Sequence, residues 1–89
     1  MQIEKASPTV FTPLDDGTGV LLNLNTRFYY SLNRTGAALW QQIEERKAVT
    51  LDELLQDTRE RFEVSEDDVR PLIIKFIEQL ETLKMVRIS

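Results

Sequence analysis

The sequence predicts an α+β domain in which a three-stranded antiparallel meander precedes three α-helices. Short β-prone runs in the first third are separated by turn chemistry at Asp16-Gly17 and Asn25-Thr26. Three capping residues, Asn33, Thr50 and Ser65, each open a stretch with helical apolar spacing. A length of 89 residues allows one modest hydrophobic core and therefore one domain.

Residues 1–7 carry no periodic pattern and read as a flexible terminus, leaving residues 8–89 as the domain. Residues 9–12 form a β-prone run ended by Pro13, and Asp16-Gly17 turns the chain. The return strand, residues 19–24, holds Val20, Leu21 and Leu22 in succession, as expected of a central strand covered on both faces. A two-residue turn at Asn25-Thr26 then leads into a third strand over residues 27–32. Two tight turns make a meander with this third strand at an edge. Alternation puts Phe28, Tyr30 and Leu32 on the core face and Arg27, Tyr29 and Ser31 on the other. An edge strand bearing aromatic side chains on both faces is an aggregation hazard unless covered, so its retention points to a partner, best read as a peptide.

Asn33 caps a first helix in which Leu39, Trp40 and Ile43 share an inward stripe, which makes Trp40 a core anchor rather than a ligand-stacking residue. Residues 44–47 form a polar break. Thr50 and Glu53 form a capping box for a second helix, with Leu51, Leu54, Leu55 and Phe62 on its apolar face and an end near Arg61. Ser65, followed by Glu66, Asp67 and Asp68, opens the third helix where the dipole favours acidic side chains. Pro71 lacks an N–H, so either the regular helix begins near Asp68 or it is kinked. Val69, Leu72, Ile73, Phe76, Ile77, Leu80 and Leu83 span an apolar arc of roughly 140°, wider than the ~100° stripe that covers a core. Either one shoulder of this helix lines a groove or the helix is well buried. Residues 84–88 have the alternation of a short final strand.

Composition removes most chemistry. The chain has no cysteine or histidine, so thiol nucleophiles, disulfides, thiolate metal sites and imidazole bases are all missing. Its fifteen acidic residues fall at helical surface spacing and read as a solvated face. No catalytic pair, cofactor motif or metal spacing is present, so the expectation is a protein that is not an enzyme and carries no cofactor. A net charge of −4 opposes binding to phosphate backbones. No apolar run approaches the roughly 20 residues that cross a bilayer, and Glu4 and Pro8 interrupt any secretory signal, which gives a cytoplasmic reading.

Taken in order, Val20-Leu21-Leu22-Asn23, Tyr29-Tyr30-Ser31-Leu32-Asn33, Thr35-Gly36, Trp40, residues 49–54, residues 62–65 and residues 76–80 resemble the PqqD-like family, also called the RiPP recognition element. The resemblance runs from Pro8 to nearly the end. It implies a shape similar to winged helix-turn-helix domains and binding of the leader segment of a ribosomally made precursor peptide. In that family the leader is added to the third strand of the meander, in a groove closed by the third helix. The carry-over points to Arg27, Phe28, Tyr29, Tyr30 and Ser31 as the strand wall, and to Asp68, Leu72, Ile73 and Phe76 as the helix wall. The version Tyr-Tyr-x-Leu-Asn-x-Thr-Gly with a helical Trp looks more like the stand-alone leader-binding proteins of lasso-peptide pathways. The implied role is an adaptor that presents the precursor to a separate maturation enzyme, in lasso systems a leader peptidase. Two departures stand out: Asn25-Thr26-Arg27 lies where a glycine is common before the aromatics, and Lys84-Met85 replaces a frequent Gly-Leu.

Three other readings remain. A PqqD-type chaperone for a radical-SAM peptide-modifying enzyme shares the same site. A structural subunit differs in lacking the peptide ligand. A winged-helix nucleic-acid binder would need a basic recognition helix, whereas the last helix here opens with Glu66, Asp67 and Asp68. The free strand edge leaves the oligomeric state open.

Overall fold

A computed structural model describes residues 1–6 and 8–89. In chain order the elements are β1 (Gln2–Lys5), β2 (Thr9–Pro13), β3 (Gly19–Asn23), β4 (Tyr29–Leu32), α1 (Arg34–Arg46), β5 (Ala48–Thr50), α2 (Leu51–Phe62), α3 (Glu66–Thr82) and β6 (Val86–Ile88). They form two three-stranded antiparallel sheets, ordered β2-β3-β4 and β5-β1-β6, packed with the helices around one core. The first sheet is the expected meander, with Leu21 opposite Phe11 on one side and Tyr30 on the other. Leu21 is buried while Val20 and Leu22 are half-buried, which fits a central strand covered on both faces.

The second sheet corrects the reading of residues 1–7 as a flexible terminus. Gln2–Lys5 is the middle strand of that sheet, and Ile3 is fully buried opposite Val49 and Ile88. A segment with a single apolar residue offers no local periodicity; its order comes from partners at the middle and far end of the chain. Ser7, the last residue of that expected terminus, lies outside the described residues.

The turn into β4 is also longer than two residues. Arg27 takes a left-handed conformation, φ 66°, and both Arg27 and Phe28 lie opposite Asn23. The Arg27 N–H donates to the Asn23 carbonyl at 2.8 Å, and the Asn23 N–H donates to the Phe28 carbonyl at 2.9 Å. This is a bulge with its first residue left-handed, a position that glycine ordinarily takes. The strand expected over residues 27–32 therefore begins only at Tyr29. Tyr30 and Leu32 face the core as expected, but Phe28 is 56% exposed.

All three helices start at the expected caps. The side-chain oxygens of Asn33, Thr50 and Ser65 accept from the N–H groups of Gly36, Glu53 and Asp68, and the Thr50–Glu53 capping box is closed in both directions. α1 continues through residues 44–46, the expected polar break, to a cap at Lys47. α3 begins at Glu66 and runs through Pro71, whose missing N–H leaves the Asp67 carbonyl without its helical donor. Trp40, Ile43, Leu54, Ile73, Ile77 and Leu80 lie at the centre of the core. On α2 the buried face ends in Thr58, whose hydroxyl donates to the Leu54 carbonyl, while Phe62 is partly exposed.

Candidate functional site

β4 is the last strand of its sheet, so one of its edges has no strand partner among the described residues. The Asn23–Phe28 hydrogen bond fixes the ladder's phase. Tyr30 and Leu32 then direct their main-chain groups to β3, and Tyr29 and Ser31 direct theirs outward. Those outward N–H and C=O groups can pair with one further strand.

Beside this edge, β4, the start of α1 and α3 enclose a cleft of about 290 Å3. Its strand side is Tyr30, its helix side Leu72, Ile73, Phe76 and Gln79, and its floor Gly36, Leu39 and Val69. The wide apolar arc of α3 thus divides into two stripes. Val69, Ile73, Ile77 and Leu80 are buried in the core, while Leu72 and Phe76 form a shoulder toward β4, with Leu72 67% exposed. The Tyr30 and Phe76 rings meet edge to face with centroids 6.2 Å apart, and the Tyr30 hydroxyl donates to Gln79 Oε1 at 2.6 Å. A β-carbon at Gly36 would press on Asn33 Oδ1 at 3.2 Å and Leu32 at 3.3 Å and would meet the Phe76 ring at an ordinary contact distance of 3.4 Å.

The cleft supplies apolar walls beside the main-chain hydrogen-bonding groups of the open edge. Its titratable side chains are Tyr30 and Lys75. The acidic groups held below their ordinary values lie elsewhere, and each has a structural cause. Asp16 accepts from the Thr18 hydroxyl, Glu53 from the Thr50 N–H, and Glu66 from the Arg70 guanidinium. Among the described residues no group of three or more acidic side chains is placed to hold a metal ion. A larger open cavity of about 680 Å3, near Asn25, Thr26, Lys84 and β6, is lined mainly by polar and charged side chains. Two of its cations, Lys5 and Arg87, are ion-paired with Glu44 and Glu4. The smaller cleft has the apolar surface that a peptide side chain needs.

The family model described as coenzyme PQQ synthesis protein D (PqqD) matches residues 18–86. The chain belongs to the PqqD family. Two solved structures share this PqqD fold. One is TbiB1 in complex with the TbiA(beta) leader peptide, with a TM-score of 0.85 and 21% identity, covering 97% of this chain and 96% of that one. The other is lasso peptide synthetase B1 complexed with the leader peptide, with a TM-score of 0.78 and 21% identity, covering 97% and 98%. No curated protein matches the sequence. The α+β fold class expected from the sequence is that of these neighbours.

On this PqqD scaffold the nine site residues expected from the sequence fall into three groups. Tyr30, Leu72, Ile73 and Phe76 meet in the cleft, although Ile73 is 1% exposed and belongs mainly to the core. Tyr29 and Ser31 lie on the open edge with exposed side chains, and Arg27 and Phe28 are exposed in the bulge that precedes it. Asp68 is exposed in the first turn of α3 and does not line the cleft. Sequence reasoning missed Gln79 and the floor residues Gly36, Leu39 and Val69 as parts of the site. Gln79 follows Leu72 and Phe76 along the same shoulder at helical spacing, but a search for apolar residues passes over it.

Proposed function

We propose that the protein is a non-catalytic adaptor that binds the leader segment of a ribosomally made precursor peptide and presents it to a separate maturation enzyme. The leader adds as a strand to the outer edge of β4, pairing with the main chain of Tyr29 and Ser31. Its apolar side chains enter the cleft between Tyr30 and α3. The observation that carries this reading is the open strand edge placed directly beside an apolar cleft. Strand addition obtains affinity from main-chain hydrogen bonds and specificity from pockets for side chains on one face, and this site offers both.

Both structural neighbours are described in complex with leader peptides, one of them as a lasso peptide synthetase component, which supports a lasso leader peptidase as the partner enzyme. Arg27, Phe28 and Asp68 flank the two ends of the groove and are assigned to contacts with the leader beyond the cleft. The adaptor's contribution is proximity, since holding a substrate beside an enzyme raises its effective concentration without chemistry of its own. The PqqD family description favours a second reading, in which the partner is a radical-SAM peptide-modifying enzyme.

The test is a titration of the protein with the leader half of the precursor peptide encoded beside it, followed by backbone amide shifts. The expected result is binding at about micromolar or tighter, with the largest shifts over residues 27–32 and 72–76. Absence of binding at high micromolar peptide refutes the adaptor role. Co-purification of the complex with a leader peptidase or with a radical-SAM enzyme decides between the two partner readings.

A further inference from the structure

We infer that Asn23 is a positioning residue that holds the two walls of the groove at the spacing an added strand requires. This deepens the leader-binding reading above and rests on it. Asn23 is 2% exposed, and every polar atom it has is used. Its main chain fixes the bulge that starts the strand wall, through the bonds to Arg27 and Phe28. Its side-chain Oδ1 accepts from the N–H groups of Asn25 at 2.9 Å and Thr26 at 3.2 Å, which sets the turn leading into β4.

The other end of the same carboxamide reaches the helix wall. Asn23 Nδ2 donates to the carbonyls of Leu83 at 3.2 Å and Lys84 at 3.0 Å, just past the end of α3. Carbonyls at a helix C-terminus lack partners within the helix, and these two bonds tie that terminus to the meander. Gln79, one turn earlier, is where the Tyr30 hydroxyl crosses to the helix. A single buried amide therefore joins strand wall to helix wall at one end of the groove. An oxygen in place of Nδ2 would face two carbonyl oxygens and push α3 away from β4, although the side chain keeps its shape.

The experiment compares wild type with Asn23→Asp and with Val49→Ala, a variant on β5 that loses core contacts away from the groove. In the free protein, Asn23→Asp is expected to weaken the nuclear Overhauser contacts between the Tyr30 and Phe76 rings and to shift the Tyr29 and Ser31 amides, while Val49→Ala leaves both unchanged. With the leader peptide and both variants folded, Asn23→Asp is expected to lose about tenfold or more in affinity, and Val49→Ala to stay within about twofold. Unchanged ring contacts in folded Asn23→Asp overturn the inference, as does an equal affinity loss in both variants. If wild type binds no leader, the adaptor reading fails, and the ring contacts alone decide whether Asn23 spaces the walls. If Asn23→Asp does not fold, the Asn23 side-chain amide protons of wild type decide. Slow exchange with solvent supports the brace, and exchange as fast as that of Asn25 overturns it.

Discussion

Replacing Lys84 with glycine should stabilise the domain. Lys84 has φ 59° and follows the end of α3, where its N–H donates to the Glu81 carbonyl and the Met85 N–H to the Leu80 carbonyl, both at 2.9 Å. This pair of bonds closes a Schellman motif, and the fully buried Leu80 and Met85 supply its hydrophobic contact. The left-handed position is normally glycine because a β-carbon there crowds the following carbonyl, at a cost of about 1–2 kcal/mol. Glycine's greater freedom in the unfolded chain takes back roughly 0.5–1 kcal/mol. The lysine side chain is exposed and enters no ion pair among the described residues, so little else is lost. The net gain is about 0.5–1 kcal/mol, which in a domain of this size raises Tm by about 2–8 °C. Thermal unfolding followed by circular dichroism measures it, with Lys84→Ala as the control that removes the charge but keeps the β-carbon. A Tm for Lys84→Gly at or below that of Lys84→Ala refutes the reasoning.

Three further outcomes are expected. Phe76→Ala should weaken leader binding by a larger factor than it changes the folding equilibrium, because Phe76 is only partly buried and borders the cleft; parallel titration and urea unfolding check this, and equal losses assign Phe76 to the core. Trp40→Ala should cost about 3–5 kcal/mol in urea unfolding. Trp40→Phe should cost clearly less, since Trp40 is fully buried, its Nε1 has no hydrogen-bond partner among the described residues and phenylalanine keeps a ring in the core; equal costs would show that the phenyl ring recovers none of the indole's packing. Hydrogen bonds from Thr50 hold the Glu53 carboxyl below its ordinary value of 4.5, so its stabilisation is complete above that pH and is lost as pH falls through the lower folded value. Glu53→Gln should therefore lose less stability than wild type between pH 7 and pH 3, by urea midpoints, and equal losses would remove Glu53 from the acid response.

The sequence made the helices and the meander legible because their signals are local. Asn33, Thr50 and Ser65 each bond an N–H three residues ahead, and the apolar positions of α3 are neighbours on one helix face. The same locality made the groove partly legible. Leu72 and Phe76 stood out as an excess over what a core-facing helix needs, and the aromatics of residues 28–30 as an excess over what an edge strand should show. The two departures from the family pattern, Asn25-Thr26-Arg27 and Lys84-Met85, each contain a residue that is left-handed in the structure, Arg27 and Lys84.

Contacts between distant segments were decided only by the tertiary structure. Gln2–Lys5 is a strand because Val49 and Ile88 flank Ile3, and nothing within four residues of sequence announces partners that far away. Phe28 is exposed ahead of β4, in a bulge set by one left-handed residue, and a period-two pattern cannot register where that bulge makes the strand begin. Gln79 and Asn23 are polar, so hydrophobic patterning passes over both, yet each bridges β3 or β4 to the far end of α3. The sequence by itself therefore determined the meander, the three helices, their caps and an apolar surplus on one face. The tertiary structure decided the spacing of that face, because a groove between a strand and a helix is set by the hydrogen bonds and side chains that join them across some fifty to sixty residues of chain.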